Sequence, residues 1–551
     1  MQDIQQRLQD TIRALYGLDD FVPDVTPAPE NIDADYSTNA PLKLAKSLHQ
    51  NPMAIAAEIS TKLPNTTVTP PGFINFISPD EYLRAQIATY AANFQENISS
   101  SEYSGKTIIC EFSDPNPFKV LHVGHLYTSI VGDAISRLYE YAGGKVIRAN
   151  FGGDVGLHVA KTLYILQNQD TTNLQIEDIA RCYVEGTAAY EDDPAAKQEI
   201  TNLNKEIYRI NATDNHSTPL AELYWRGREL SYQYFKDFYA HIGVHFDKFY
   251  PESTVTALGL ETVKRELGSG VYEMSDGAVI FPGDKYGLHT RVFINREGIP
   301  TYETKDVGLI FTKWQDYHFD KSVVITGSEQ LEYMKVVLKS VERYAPELVE
   351  RTTHLTHGLV KLPGNVKMSS RKGNFLKAVD VLDMVSEALA ADYNSTDNTV
   401  ALAATKYAFI KYKMGGNIIF DPHESVKMTG NSGPYLLYSA VRAKKILEKV
   451  GTPKPQQGQS SGESPTTPSE HNLMKKLLDY KPTLGLATHE LAPHKVANYL
   501  YELAQDFSRF YENCPVAGAP EEAFRTELVQ VYLNVMAHGL GLLGITIPEE
   551  M

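Results

Sequence analysis

Residues 106–151 constrain the fold more than any other stretch of the chain. KTIICEF is an apolar run rich in β-branched residues, HVGHLYTSIVGDAISRLYEYAGG has helical spacing and a glycine stop, and KVIRANF is a second apolar run. Strand, helix and strand in so short a span form a βαβ unit, which requires a parallel sheet. The alternation resumes near 290, with a predicted helix over 301–313, a strand over 322–327, a helix through 343 and the apolar run HLTHGLVKL (354–362). Residues 160–260 are charged, aromatic and largely helical, and read as an insertion between two halves of the sheet. Residues 1–100 form a separate module: Ile4, Leu8, Ile12 and Leu15 mark an amphipathic first helix, and Phe73–Ile77 is strand-like. Beyond Phe420 the chain is helical almost to its end, interrupted by the polar run 451–470, which reads as a disordered surface loop. The fold expected is multidomain α/β: an N-terminal α+β domain (1–100), a Rossmann-like parallel-sheet domain with a helical insertion (101–424), and an all-α C-terminal bundle (425–551).

A chain of 551 residues exceeds one compact core, in keeping with several domains. No apolar run is long enough to span a bilayer, and the N-terminus lacks the apolar core of a signal peptide. Cys110, Cys182 and Cys514 lie far apart with no CxxC pair, which argues against a disulfide framework and for a reducing compartment. The formal charge of −16 argues against a protein that coats nucleic acid through bulk attraction, but leaves room for a local basic face.

The chemistry concentrates in two motifs. His122-Val123-Gly124-His125 stands after a strand and opens a helix. A helix N-terminus presents unpaired N–H groups and partial positive charge, which favour phosphate. Both imidazoles can face that site, and Gly124 lets a nucleotide approach the backbone. Pro115 and Pro117 stiffen the loop before it. The second motif, Lys367-Met368-Ser369-Ser370-Arg371-Lys372-Gly373-Asn374, follows a predicted strand. Its cations could clamp the outer phosphates of ATP and stabilise the charge that builds on pyrophosphate. Either motif alone has a bland reading, as a helix cap or a solvated basic loop. The two in this order are harder to dismiss.

HVGH followed by KMSSRKG resembles the two signatures of class I aminoacyl-tRNA synthetases. EFSDPNPFKVLHVGHLYTSIVGDAISRLYEYAGGKVIRANFGGDVG (111–156), REGIPTYETKDVGLI (296–310), VVITGSEQ (323–330) and NYLYELAQDFSRFYENCPV (498–516) are similar to the arginyl-tRNA synthetase versions. The resemblance implies activation of arginine by ATP to arginyl-adenylate and transfer to the terminal ribose of tRNA, with tRNA needed for the first step. It implies His122, Gly124, His125, Met368, Ser369 and Ser370 at ATP, catalytic cations among Lys119, Lys367, Arg371 and Lys372, and an arginine site of Glu111, Asn116, Tyr302, Asp306 and Gln330. The chemistry fits: a guanidinium seeks planar carboxylate partners, and Tyr302 and Asp306 share a helix face. It further implies Mg2+ only as the ATP complex, no permanent metal, no editing domain, a cytoplasmic monomer, and a C-terminal anticodon-binding domain. There Tyr435 and Tyr438 would stack on bases while Arg442 and Lys445 meet phosphate.

Two departures stand out. The position of the second lysine in K-M-S-K-S is Ser370, which leaves open which cation meets pyrophosphate, and His158 stands where glutamine is common, so it receives no role. Three rivals remain: a synthetase for another amino acid, a smaller HxGH nucleotidyltransferase, and a non-catalytic tRNA-binding adaptor.

Overall fold

The computed structural model describes residues 2–29, 32, 34–364, 376–451 and 465–551. At the N-terminus, the helix Gln2–Tyr16 buries Leu8 and Ile12 completely against the helices Ala40–Leu48 and Pro52–Ser60 and an antiparallel sheet. The strands of that sheet, in spatial order, are Thr26–Pro27, Tyr36–Thr38, Phe73–Phe76 and Thr66–Thr69. This small core closes at Phe76. The helices Asp80–Ala92 and Phe94–Ile98 instead send Leu83, Ile87, Phe94 and Ile98 into the large core shared with the C-terminal helices. The packing therefore divides near residue 77, where the sequence reading had carried the first module to 100.

The central sheet has five parallel strands: β1 (Thr107–Glu111), β2 (Lys145–Gly152), β3 (Lys248–Pro251), β4 (Lys321–Gly327) and β5 (Thr352–His357), in the order β5-β4-β1-β2-β3. Helix α1 (Val123–Tyr141) joins β1 to β2 and is buried along most of its length. The chain winds outward from β1 to β3, then returns to the opposite side of β1 for β4 and β5. The strand order thus reverses between β1 and β4. In open α/β sheets the crevice beyond the carboxyl ends at such a reversal is where ligands bind.

The insertion contains the helices Leu157–Leu166, α2 (Ile176–Asp192), Pro194–Ala212 and α3 (Pro219–His241). It ends earlier than the expected residue 260, because β3 already pairs with β2. A strand of four residues bonded on one side leaves too short a run for a periodic signal. Helix α4 (Glu252–Gly268) then crosses α5 (Tyr302–Tyr317), and between them lies a three-stranded antiparallel sheet (Glu273–Ser275, Ala278–Phe281, Arg291–Ile294) that the sequence reading did not foresee. Helix α6 (Leu331–Glu342) follows β4.

The C-terminal part is helical, with α7 (Gly433–Val450), α8 (Pro468–Leu478), Tyr480–His489, α9 (Pro493–Asn513) and α10 (Glu522–Leu542). The segment 451–470, expected to be a disordered loop, is only in part outside the described residues. Thr467 and Glu470 form a capping box that opens α8, and Glu470 is buried against Arg525 at 2.8 Å. Thr-Pro-Ser-Glu is the capping-box pattern, hidden by the polar composition around it.

Candidate active site

The loop from β1 to α1 is strained and pinned. Ser113, Asp114 and Phe118 have φ of 72°, 50° and 65°, a left-handed region unusual for non-glycine residues. Phe118 offsets that strain: its ring is fully buried, its N–H donates to Ser231 Oγ at 3.0 Å, and a Cβ on Gly227 of α3 would sit 2.5 Å from the ring. The insertion therefore holds the loop that aims α1.

At the start of α1 the rings of His122 and His125 stack, with centroids 3.7 Å apart. His122 Nδ1 accepts from Gly124 N and His125 Nδ1 accepts from His122 N, each at 3.1 Å. A neutral imidazole that accepts at Nδ1 carries its proton on Nε2, so both rings present an Nε2–H donor. Both are held neutral: burial, then the Lys119 charge and His357, push His122 down to about 4, and burial with its neighbour holds His125 well below the usual range. The need for glycine at 124 is local, because a Cβ there would lie 2.9 Å from the His122 ring. A third histidine unmarked in the sequence reading, His357 at the end of β5, approaches the same turn and packs edge-on to Tyr127.

Lys367, Met368, Ser369, Ser370, Arg371 and Lys372 lie outside the described residues. The chain that follows them is tied to the first motif. Val123 N donates to Leu376 O and Ala378 N to Leu121 O, both at 2.9 Å, so residues 376–378 bridge residues 121–123. Beside this bridge opens a cavity of about 760 Å³ lined by Asn116, Lys119, His122, His125 and Lys377, with the aromatic rings of Tyr183, Tyr234 and Phe238 across from them.

A cluster of charges gathers at the carboxyl end of β1 and along α5. Glu111 is buried and bonded to Lys313 Nζ at 2.6 Å. Glu252 is paired with Lys305 at 2.5 Å, and Lys305 lies 5.1 Å from the ring of Tyr302. Asn116 Oδ1 accepts from Gly153 N at 2.7 Å, beside Glu252. Asp306 accepts from the Tyr333 hydroxyl, and Gln330 is exposed in the 3-10 turn after β4. Burial, with repulsion from Glu111, Glu252 and Glu303, pushes Asp306 up to about 8 against the opposing effect of the Tyr333 hydrogen bond. Asp114 is likewise held well above the usual range, by burial and by Glu111.

Glu111 and Asp306 thus share one charge cluster with Glu252 and Lys305, Asn116 lies beside Glu252 and Tyr302 beside Lys305, while Gln330 is exposed after β4. Sequence reasoning missed Asp114, Glu252, Lys305, Lys313 and Tyr333. Lys313 follows Asp306 by seven residues on α5, a same-face spacing that could have marked it. His158, left without a role, is buried with Nε2 2.7 Å from Gly153 O, where it fixes the turn that Asn116 also holds. Among the described residues no group of metal-ligating side chains is found.

In the C-terminal bundle, Tyr438, Arg442, Lys445 and Tyr511 line a groove of about 730 Å³. The Arg442 guanidinium lies over both tyrosine rings, 4.6 and 4.7 Å from their centroids. Tyr435 does not join them. It packs edge-on to Tyr501, with its hydroxyl 3.3 Å from Ser508 Oγ.

Three family models match the chain: tRNA synthetases class I (R), catalytic domain, over residues 89–421; DALR anticodon binding domain, over 436–551; and arginyl tRNA synthetase N terminal domain, over 2–77. Similar curated proteins include the arginine–tRNA ligases of Bdellovibrio bacteriovorus (29% identical, covering 92% of this chain and 91% of the relative) and Fusobacterium nucleatum (27%, covering 96% and 95%). Among solved structures, the Thermus thermophilus arginyl-tRNA synthetase matches over the whole of both chains with a TM-score of 0.80 at 23% identity, a likeness of fold.

Proposed function

Since the chain belongs to the class I arginyl-tRNA synthetases, we propose an assignment of its side chains to the steps by which it joins L-arginine to tRNA at the expense of ATP. The α-phosphate of ATP lies against the start of α1, where the Nε2–H groups of His122 and His125 donate to it and Gly124 leaves the turn open. The arginine carboxylate attacks that phosphorus and pyrophosphate leaves. Lys119, Lys367, Arg371 and Lys372 draw off the charge that accumulates on the leaving group, with Met368, Ser369 and Ser370 against the nucleotide. Mg2+ enters with ATP as its counter-ion. The terminal ribose hydroxyl of tRNA then attacks the arginyl carbonyl and releases AMP.

Asp306 receives the guanidinium, with Glu111, already paired with Lys313, and Asn116, Tyr302 and Gln330 around the rest of the amino acid. Lysine, or an apolar side chain, would leave these acceptors unpaired. Such mismatches discriminate by about 10⁴–10⁵-fold, which makes an editing domain unnecessary. The groove at Tyr438, Arg442 and Lys445 receives anticodon bases, with Tyr435 supporting it from within the bundle. The enzyme acts as a monomer in the cytoplasm, where its three buried thiols stay reduced. The paired Nδ1 acceptors of the stacked histidines support this reading, because they put the proton of each neutral ring on Nε2 at a helix N-terminus that lines the cavity.

The decisive experiment is ATP–pyrophosphate exchange across the twenty amino acids, with and without tRNA. Exchange with arginine alone, and only when tRNA is present, is the expected outcome. Exchange with another amino acid would overturn the pocket assignment, and none under any condition would favour an adaptor.

A further inference from the structure

Four acidic side chains on or near α5 bear on the crevice, and three of them have a cation. Glu111 has Lys313 at 2.6 Å, Glu252 has Lys305 at 2.5 Å and Glu303 has Arg291 at 3.1 Å. The partner of Asp306 is neutral: the Tyr333 hydroxyl, from the first turn of α6, donates to its Oδ2. Asp114, which also faces this cluster, is turned onto the Phe151 N–H at 2.8 Å. Tyr333 is itself held, since the Arg291 guanidinium lies 5.2 Å from its ring centroid while pairing with Glu303 one turn before Asp306. Arg291, Glu303, Tyr333 and Asp306 therefore form one chain of contacts that cross-links α5 and α6 at the crevice.

From this geometry we infer that Tyr333 is a positioning residue for arginine recognition: its hydroxyl fixes the Asp306 side chain by Oδ2 and turns Oδ1 toward the guanidinium. The inference rests on the reading that Asp306 receives the guanidinium. A donor on a carboxylate oxygen favours the charged form, and a neutral donor does so without supplying the positive charge that a substrate cation must bring. A lysine or arginine at 333 would fill the subsite with the protein's own cation, as happens at Glu111, Glu252 and Glu303. The phenol leaves Asp306 the one acid of the four that awaits a charge from outside.

Tyr333→Phe keeps the ring over Arg291 and removes only the donor, so the variant should melt with the parent. Its KM for arginine should rise about tenfold, the scale of one charge-assisted hydrogen bond. Its kcat at saturating arginine and its KM for ATP should stay within about twofold. Because the missing donor raises the Asp306 pKa further above about 8, the KM ratio of variant to parent should shrink from pH 7 to pH 9, as Asp306 ionises progressively in both proteins. Asp306→Asn, measured beside it, should lose arginine activation at every pH. A Tyr333→Phe enzyme with the parental KM, while Asp306→Asn is inactive, would overturn the role of Tyr333 and leave the subsite standing. Parental KM in Asp306→Asn would overturn the subsite and this inference with it. A pH-independent loss shared by KM and kcat would mark a merely structural tyrosine and also overturn it.

Discussion

At the scale of single residues, the stacked histidines show how a short motif becomes chemistry. The spacing of His122 and His125 already pointed to phosphate, but not to the tautomer, which follows from which backbone N–H each Nδ1 accepts. Gly124 is needed locally as well, since its missing side chain makes room for the His122 ring. His122→Ala and His125→Ala should each lower the rate of arginine-dependent pyrophosphate exchange by about 10²–10³-fold, the cost of one preorganised donor at a charged transition state. Arginine KM should move little. Since His122 gains a proton only as pH falls toward about 4, kcat should show no acid limb from this pair between pH 6 and 8. A limb centred near 6.5 in a rate profile would contradict the neutral assignment. The carboxylates were legible as types, and Tyr302 with Asp306 as a helix face. Their cations were not, because Lys305 and Lys313 look on paper like any solvated lysine, and only burial reveals them as partners.

Among elements, the placement of the crevice depends on how closely α4 and α5 approach. A Cβ on Gly259 would fall 2.1 Å from Thr304 O, and one on Gly308 would fall 2.1 Å from Val255 O. Both obstacles are backbone, which cannot rotate aside, so the helices touch through this pair of glycines. Gly308→Ala should force α5 outward and cost about 1–3 kcal/mol, as overpacking does. The shift carries Tyr302 and Asp306 with it. A lower Tm together with a raised arginine KM is the expected pair of observations, and a lower Tm with unchanged KM would separate the helix contact from the site. The β1–α1–β2 unit was legible because its apolar runs and helical spacing are long. Strand β3 and the capping box of α8 were not: one is four residues deep at a sheet edge, and the other sits in a polar stretch whose composition outweighed its Thr467 and Glu470.

Across the whole molecule, the N-terminal module meets the C-terminal bundle through a charged clamp. Both ring nitrogens of His471 on α8 face carboxylates, Nδ1 with Asp80 at 2.7 Å and Nε2 with Asp35 at 2.9 Å. Lys475 adds a contact to Asp35 at 3.3 Å, and the Tyr36 hydroxyl donates to Asp479 at 2.8 Å. A ring that donates at both ends is an imidazolium. The Asp35 hydrogen bond, opposed by burial, raises the His471 pKa above 6.5. Burial opposes ionisation of Asp35, but its bonds from His471 and Ser78 hold it at about 2. The clamp is therefore complete below pH 6.5, weakens as pH climbs past the raised His471 value, and at the acid end fails as pH falls toward 2. Limited proteolysis between residues 77 and 80 should quicken at alkaline pH in the parent. In His471→Ala it should be fast at both pH 7 and pH 9. Equal protection in both proteins at pH 7 would show that the apolar packing alone holds the module.

What the sequence determined by itself was whatever repeats along the chain: the βαβ alternation, the helical face of Tyr302 and Asp306, the two signatures in order, and the aromatic and basic residues of α7. What only the tertiary structure decided was which groups meet. Asp306 and Tyr333, Glu111 and Lys313, and His471 with Asp35 and Asp80 are separated by 27, 202, 436 and 391 residues, respectively. Local periodicity carries the preferences of a turn or a strand. A hydrogen bond across the sheet or between modules depends on distances that exist only once the chain has closed, so the charge balance of the crevice could not be read before the fold was known.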